Sequence, residues 1–184
     1  MNEPKKDTSI IIRLMLPILQ SGFYFETRLG FDVRSILVSE LNLSREFVDE
    51  RIATVFINGK AVDNIERACL TEGCGLTLSG AMPGLVGACL RKSGAYASLR
   101  SAISYVPDQA AVREGRGIVK IKLFNTLINE LGARFLERGI LVDEQQYNEL
   151  MNDVSKSEME KLFEGALIVE KTASGMRRIQ LRSS

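Results

Sequence analysis

Two periodicities compete along the chain. In FYFETRL, Phe23, Phe25, Thr27 and Leu29 alternate with Tyr24, Glu26 and Arg28, the period of two that half-buries a strand. Residues 8–15 (TSIIIRLM) precede it, and their β-branched content predicts a buried strand antiparallel to the first. Pro17 and Ser21-Gly22 punctuate the chain between the two. Asp32 is placed to cap a helix carrying Ile36, Leu37 and Leu41, and Ser44 to cap a helical turn through Phe47 and Val48. In TVFI-Asn58-Gly59-KAVD, Asn-Gly separates two alternating apolar runs. Both central residues of a type I′ turn need positive φ, which Asn and Gly tolerate best, so this segment predicts a hairpin. After an irregular or helical stretch at 64–72, residues 75–79 (GLTLS) read as a short strand.

The pattern then changes. Gly80, Gly84, Gly87 and Gly94 fall among small residues, and Pro83 is placed to open a helix containing Leu85, Val86, Cys89 and Leu90. A second helical piece is expected through Tyr96, Leu99, Ile103 and Tyr105. Pro107-Asp108 and Glu114-Gly115-Arg116-Gly117 lack periodicity and form the best candidate domain boundary. Beyond it, Val119, Ile121 and Leu123 alternate with Lys120 and Lys122 as in a strand. Leu127, Ile128, Leu131, Phe135 and Leu136 recur at helical spacing up to Gly139, a C-cap. Ile140-Leu141-Val142 is a short apolar run. Asp143 with Gln146, and Ser155 with Glu158, are capping-box starts for two further helices, the second ending at Gly165. ALIVEK and MRRIQLR flank Thr172-Ala173-Ser174-Gly175 and predict a terminal hairpin.

These elements predict an α+β protein. A β-grasp-like mixed sheet with one packed helix occupies residues 1–110, including the glycine-rich segment 80–94. A smaller helical region ending in a β-hairpin occupies 118–184. Composition agrees: 184 residues with 45% apolar and 26% charged side chains and a net charge of +1 describe a globular chain. A chain of this length buries roughly 70% of its unfolded surface, enough for one full core or two small ones. There is no histidine, which excludes histidine-based triads, imidazole acid–base chemistry and histidine-ligated zinc or haem. Cys69, Cys74 and Cys89 are too few for a disulfide framework and short of the four ligands of a structural zinc site, so reduced thiols in a cytoplasmic protein are expected, with no metal and no cofactor. Lys5 and Lys6 before the apolar run 10–19 resemble a signal peptide, but Arg13 and Pro17 interrupt the run and it is too short to span a bilayer.

The first half has the order strand–strand–helix–hairpin–strand. With Val55, Asn58, Gly59 and Lys60 in VFINGK, and again over residues 70–80, it resembles the ubiquitin-like β-grasp sulfur carriers across residues 8–88. That resemblance implies the fold. The carriers' chemistry uses a chain-terminal Gly-Gly, whereas Gly84 and Gly87 are internal and Arg182-Ser183-Ser184 close this sequence. Residues 123–182 read as helix, short strand, helix, helix and hairpin, an order similar to winged-helix domains. Nucleic-acid binding there would rest on Arg177, Arg178 and Arg182, but the stretch 156–164 at the recognition-helix position carries Glu158, Glu160 and Glu164, which phosphates repel.

Three functions follow as expectations. No catalytic set is legible: adjacent pairs such as Asp49/Glu50 and Asp143/Glu144 point different ways on a helix. Residues 91–122 carry a net +5 and residues 143–164 a net −5. A non-catalytic protein-interaction or regulatory module is therefore the leading reading, with a protein partner or homo-oligomer expected, nucleic acid disfavoured as partner and no membrane. The alternative is a phosphate- or nucleotide-ligand binder or enzyme using the loop 80–92, with Gly84, Gly87, Arg91, Lys92 and Ser93 around the anion. That loop lacks the glycine-lysine spacing of the Walker phosphate loop. The third reading is winged-helix nucleic-acid binding.

Overall fold

The computed structural model describes residues 6–81, 84–92, 104–106, 113–153 and 166–182. In chain order they form α1 (Lys6–Leu14), α2 (Leu16–Ser21), β1 (Phe23–Leu29), α3 (Val33–Glu40), α4 (Arg45–Glu50), β2 (Thr54–Ile57) and β3 (Lys60–Ala61). Then come β4 (Gly75–Ser79), α5 (Gly84–Leu90), β5 (Gly115–Phe124), α6 (Leu127–Arg138), β6 (Ile140–Val142), α7 (Glu144–Asp153), β7 (Leu167–Lys171) and β8 (Arg177–Leu181). All eight strands join one mixed sheet in the order β3-β2-β4-β5-β1-β6-β8-β7. The fold is thus mixed α and β, with several helices where the sequence suggested one packed against the sheet.

Residues 8–14 are helical and Met15 is the turn that leads into α2, so this segment is not a strand. Ile11, Ile12, Met15, Ile18 and Leu19 are buried while Ile10 and Leu16 are exposed, which is the spacing of one helix face continued from α1 into α2. β-Branched residues are only weakly unfavourable in helices, and packing of that face outweighs their strand preference. The partner of β1 is instead β5, antiparallel with Phe23 opposite Ile121 and Phe25 opposite Val119. Strand β5 also pairs with β4 in parallel, Leu76 beside Ile121 and Leu78 beside Leu123. It begins at Gly115, so Gly115-Arg116-Gly117 lie in the sheet opposite Leu29, Arg28 and Thr27, although the sequence there lacks strand periodicity. A strand from the second half therefore lies between two strands of the first.

Local capping follows the sequence. Asp32 accepts from the Ser35 N–H at 2.9 Å and Ser44 from the Phe47 N–H at 3.1 Å, each satisfying a helix-end donor. Asp143 and Gln146 form a reciprocal capping box, at 2.8 Å and 3.3 Å. The Asn-Gly hairpin joins β2 to β3, with φ of 50° at Asn58 and 76° at Gly59. The C-terminal hairpin of β7 and β8 is present as the sequence predicts. The second helical piece expected from Tyr96 and the capping box at Ser155 fall largely or wholly outside the described residues.

One face of the sheet carries the core. Phe23, Phe25, Leu76, Leu78, Val119, Ile121, Leu123 and Ile179 are buried on it, and α1, α2 and α6 pack there. The Phe135 ring of α6 meets Phe23 and Phe25 edge-on, both with centroids 5.1 Å apart; such pairs add about 0.5–1.5 kcal/mol beyond area burial. Ile12 and Leu19 close on Gly132 of the same helix. The alternate residues point the other way. Tyr24, Phe56, Thr77, Lys120, Lys122 and Arg178 are half-exposed, and Glu26, Arg116 and Phe124 are exposed. Thr54, Ala61, Ser79 and Leu141 share that side by their pairings but are buried, so the second face is wet along β5 and β1 and covered at its flanks.

Candidate functional site

The glycine-rich candidate is short and its lysine is engaged. Gly84 opens α5 at φ +77° and Gly87 is buried within it. Arg91 is exposed, and its N–H continues the helix to the Gly87 carbonyl at 3.1 Å. The Lys92 N–H donates to the Ala53 carbonyl at 2.9 Å, and its ammonium donates to the Val48 carbonyl near the end of α4. Burial pushes the Lys92 ammonium pKa down, opposed by the charge of Asp49. Lys92 thereby ties α5 to α4 and directs its charge at a peptide oxygen. Ser93 lies outside the described residues.

Two of the three hairpin arginines are ion-paired in place. Arg177 grips Glu144 of α7 through Nε at 3.2 Å and Nη2 at 3.0 Å, and its guanidinium stacks on Tyr147 at 4.8 Å. That bidentate bond raises the Arg177 pKa and lowers that of Glu144. Arg178, on the opposite face of β8, donates to Glu26 of β1 at 2.5 Å. Arg182 is exposed, and its N–H bonds the Ala166 carbonyl at 2.9 Å. These arginines therefore do not converge as one basic patch.

The three cysteines are free thiols. Cys74 is buried and Cys69 and Cys89 are half-buried; desolvation raises the thiol pKa of Cys74 and of Cys69, which disfavours the nucleophilic thiolate. Among the described residues no group of three or more Cys, Asp or Glu is assembled that could hold a metal ion. No helix among them is long and apolar enough to cross a membrane. A cleft of about 80 Å³ lies between Leu14, Pro17, Ile18, Ser21, Gln146, Glu149 and Leu150, the room of a few water molecules. Gln146 in its wall is already committed to the Gly22 carbonyl at 2.7 Å.

The largest assembly of functional groups is the wet face of the sheet, centred on β5. Side chains of paired residues on neighbouring strands share a face. Tyr24 stands opposite Lys120, with the ammonium 5.4 Å from the ring centroid. Lys122 lies beside Thr77 and Thr77 beside Phe56. Arg116 is four residues before Lys120 along the same face, and Phe124 ends it with 38% of its surface exposed. Among the described residues no carboxylate lies within ion-pair reach of Arg116, Lys120 or Lys122. Arg28, Arg51, Arg138, Arg177 and Arg178 each hold one and Arg34 holds two, whereas Arg45, Arg67 and Arg182 resemble the β5 row in having no ion pair among the described residues. The sequence showed Lys120 and Lys122 on one side of a strand; it did not bring Tyr24, Phe56 and Thr77 to them, because that takes pairings across 20 to 100 residues.

Comparison with protein-family models, with curated proteins and with solved structures finds no match to this chain.

Proposed function

We propose that the protein is a non-catalytic cytoplasmic binding module that meets its partner through the wet face of the sheet. The observation that carries this reading is the row of Arg116, Lys120 and Lys122 on one side of β5, the strand at the middle of the sheet, three cations that share a face and, among the described residues, lack the carboxylate partners that Arg28, Arg51, Arg177 and Arg178 have. Unpaired like charges raise the energy of the free protein, and a complementary partner relieves it. The carboxylates of Glu26, Glu40, Asp49, Glu130 and Glu144 are each held by an arginine, an arrangement that stabilises packing instead of poising an acid and a base.

The strand arrangement supports a β-grasp-like reading in a reordered form. Taken from β5, the elements run strand (β5), strand (β1), helix (α3), hairpin (β2 and β3), strand (β4), the order anticipated for residues 8–88. The opening strand then comes from residues 115–124 in place of 8–15, and β4 and β5 are the parallel pair. Such a sheet presents one broad face, which suits a binding role; fold alone does not assign one.

Lysine acylation tests this function. Lys120 and Lys122 are expected to react readily in the purified protein and to be protected in extract of cells that make it, while exposed Lys60 and Lys171 react equally in both. Equal reactivity of all four lysines in the two settings would refute the reading.

A further inference from the structure

We infer that the partner is single-stranded nucleic acid, laid across the wet face with its phosphates on the β5 cations and its bases on the neighbouring rings. This rests on the reading of that face as the working surface and names its ligand class. Two observations act together. The first is the cation row: Lys120 and Lys122 are two positions apart on one strand, hence about 6.7 Å apart, a spacing comparable with successive phosphates of an extended strand. Arg116 prolongs the row on the same side.

The second observation is the rings. Tyr24 stands against Lys120, Phe56 is reached from Lys122 across Thr77, and Phe124 is exposed at the end of β5. A row of cations alone fits any polyanion. Cations interleaved with partly exposed rings along β5 and its neighbours fit a strand whose bases are unstacked, because each base has a π-face to lay on a ring. A duplex hides those faces. An acidic peptide satisfies the lysines and leaves the rings unused. The carboxylates on this face do not oppose the fit at its centre, since Glu26 is held by Arg178 and Arg28, opposite Arg116, is held by Glu40.

Fluorescence anisotropy of the full chain with labelled oligothymidylate, a duplex of the same length and oligoglutamate tests this. The single strand is expected to bind best, with affinity falling as salt rises and a log–log slope of about −2 for three phosphate contacts. Lys120→Ala with Lys122→Ala is expected to flatten that slope. Tyr24→Leu is expected to weaken binding roughly five-fold or more and Tyr24→Phe to preserve it, while Arg177→Ala leaves binding unchanged. Circular dichroism and thermal unfolding identify folded variants. If Tyr24→Leu does not fold, Phe124→Leu takes its place, with the same loss expected. The inference is overturned if the single strand does not bind at low salt, if the duplex binds as tightly, or if the lysine pair or the ring variants have no effect. Tight oligoglutamate binding on the same lysines without oligothymidylate binding would overturn this ligand and leave the binding-module reading standing; unprotected lysines in extract would remove both.

Discussion

Asn58 and Gly75 hold each other twice: the Asn58 N–H donates to the Gly75 carbonyl at 2.8 Å, and the Asn58 side-chain oxygen accepts from the Gly75 N–H at 2.8 Å. The turn residue of one hairpin thus fixes where β4 begins beside β2. Asn58 also sits at φ 50°, a conformation that costs most residues about 1–2 kcal/mol. Asn58→Ala is expected to destabilise the protein by about 2–3 kcal/mol, combining the backbone cost with a lost hydrogen bond. Asn58→Gly removes the bond and keeps the conformation, so it should cost less. Urea unfolding of the two variants decides; equal losses would show that the side-chain bond, and not the backbone conformation, dominates.

Thr27 is fully buried on the core face of β1, and its hydroxyl has no hydrogen-bond partner. A buried unpaired hydroxyl costs free energy that an apolar group of the same shape does not. Thr27→Val is expected to stabilise the protein by about 1 kcal/mol, read as a shift of the urea midpoint at unchanged slope. A loss of stability would mean that the hydroxyl is satisfied in solution.

Gly132 of α6 is where the N-terminal helices come closest. A Cβ there would lie 2.8 Å from Ile12 Cδ1 and 3.0 Å from Leu19 Cδ1, both ends of flexible side chains. Gly132→Ala should therefore stay within about 1 kcal/mol of the parent, because alanine's helix preference offsets the crowding. Gly132→Leu should cost about 1–3 kcal/mol by forcing α1 and α2 away. Thermal unfolding that ranks the two alike would contradict the packing of residues 6–21 on α6.

Lys92 gives the stability a pH dependence of known sign. Its folded-state pKa is lowered by burial, so between that value and the ordinary lysine value the unfolded chain binds more protons. Stability contributed by this group therefore rises with pH across that window, and the neutral amine can still donate to the Val48 carbonyl. Lys92→Met is expected to stay within about 1 kcal/mol of the parent near neutral pH, since the desolvation it removes offsets the lost bond. The parent should then gain on the variant as the solution is made alkaline. A parent that loses ground instead would show a raised pKa and an unrecognised acidic partner.

Local devices were readable from the residues alone. The Asn58-Gly59 turn and the caps at Asp32, Ser44 and Asp143 are decided within four residues, so type and spacing suffice. Residues 8–15 misled because three consecutive isoleucines weigh toward a strand, while the helical spacing of Ile11, Ile12, Met15, Ile18 and Leu19 extends past Pro17, which reads as a break. Pro17 in fact occupies the first turn of α2, where its missing N–H costs nothing. The place of β5 was out of reach, since nothing local in Ile118–Leu123 distinguishes a strand of a separate region from one between β1 and β4. The wet face was legible only as alternation: Lys120 and Lys122 on one side, with no sign of Tyr24 and Phe56 beside them. Arg177 and Arg178 look like a basic pair in sequence but point to opposite faces, where Glu144 and Glu26 meet them.

Backbone nuclear Overhauser contacts of isotope-labelled protein test the arrangement on which the binding face depends. Cross-strand contacts should link Val119 to Phe25 and, on the other side, Ile121 to Leu76, placing one strand between the two. A Val119 that contacts residues 8–15, or a β5 that reaches β1 and lacks β4, would contradict it.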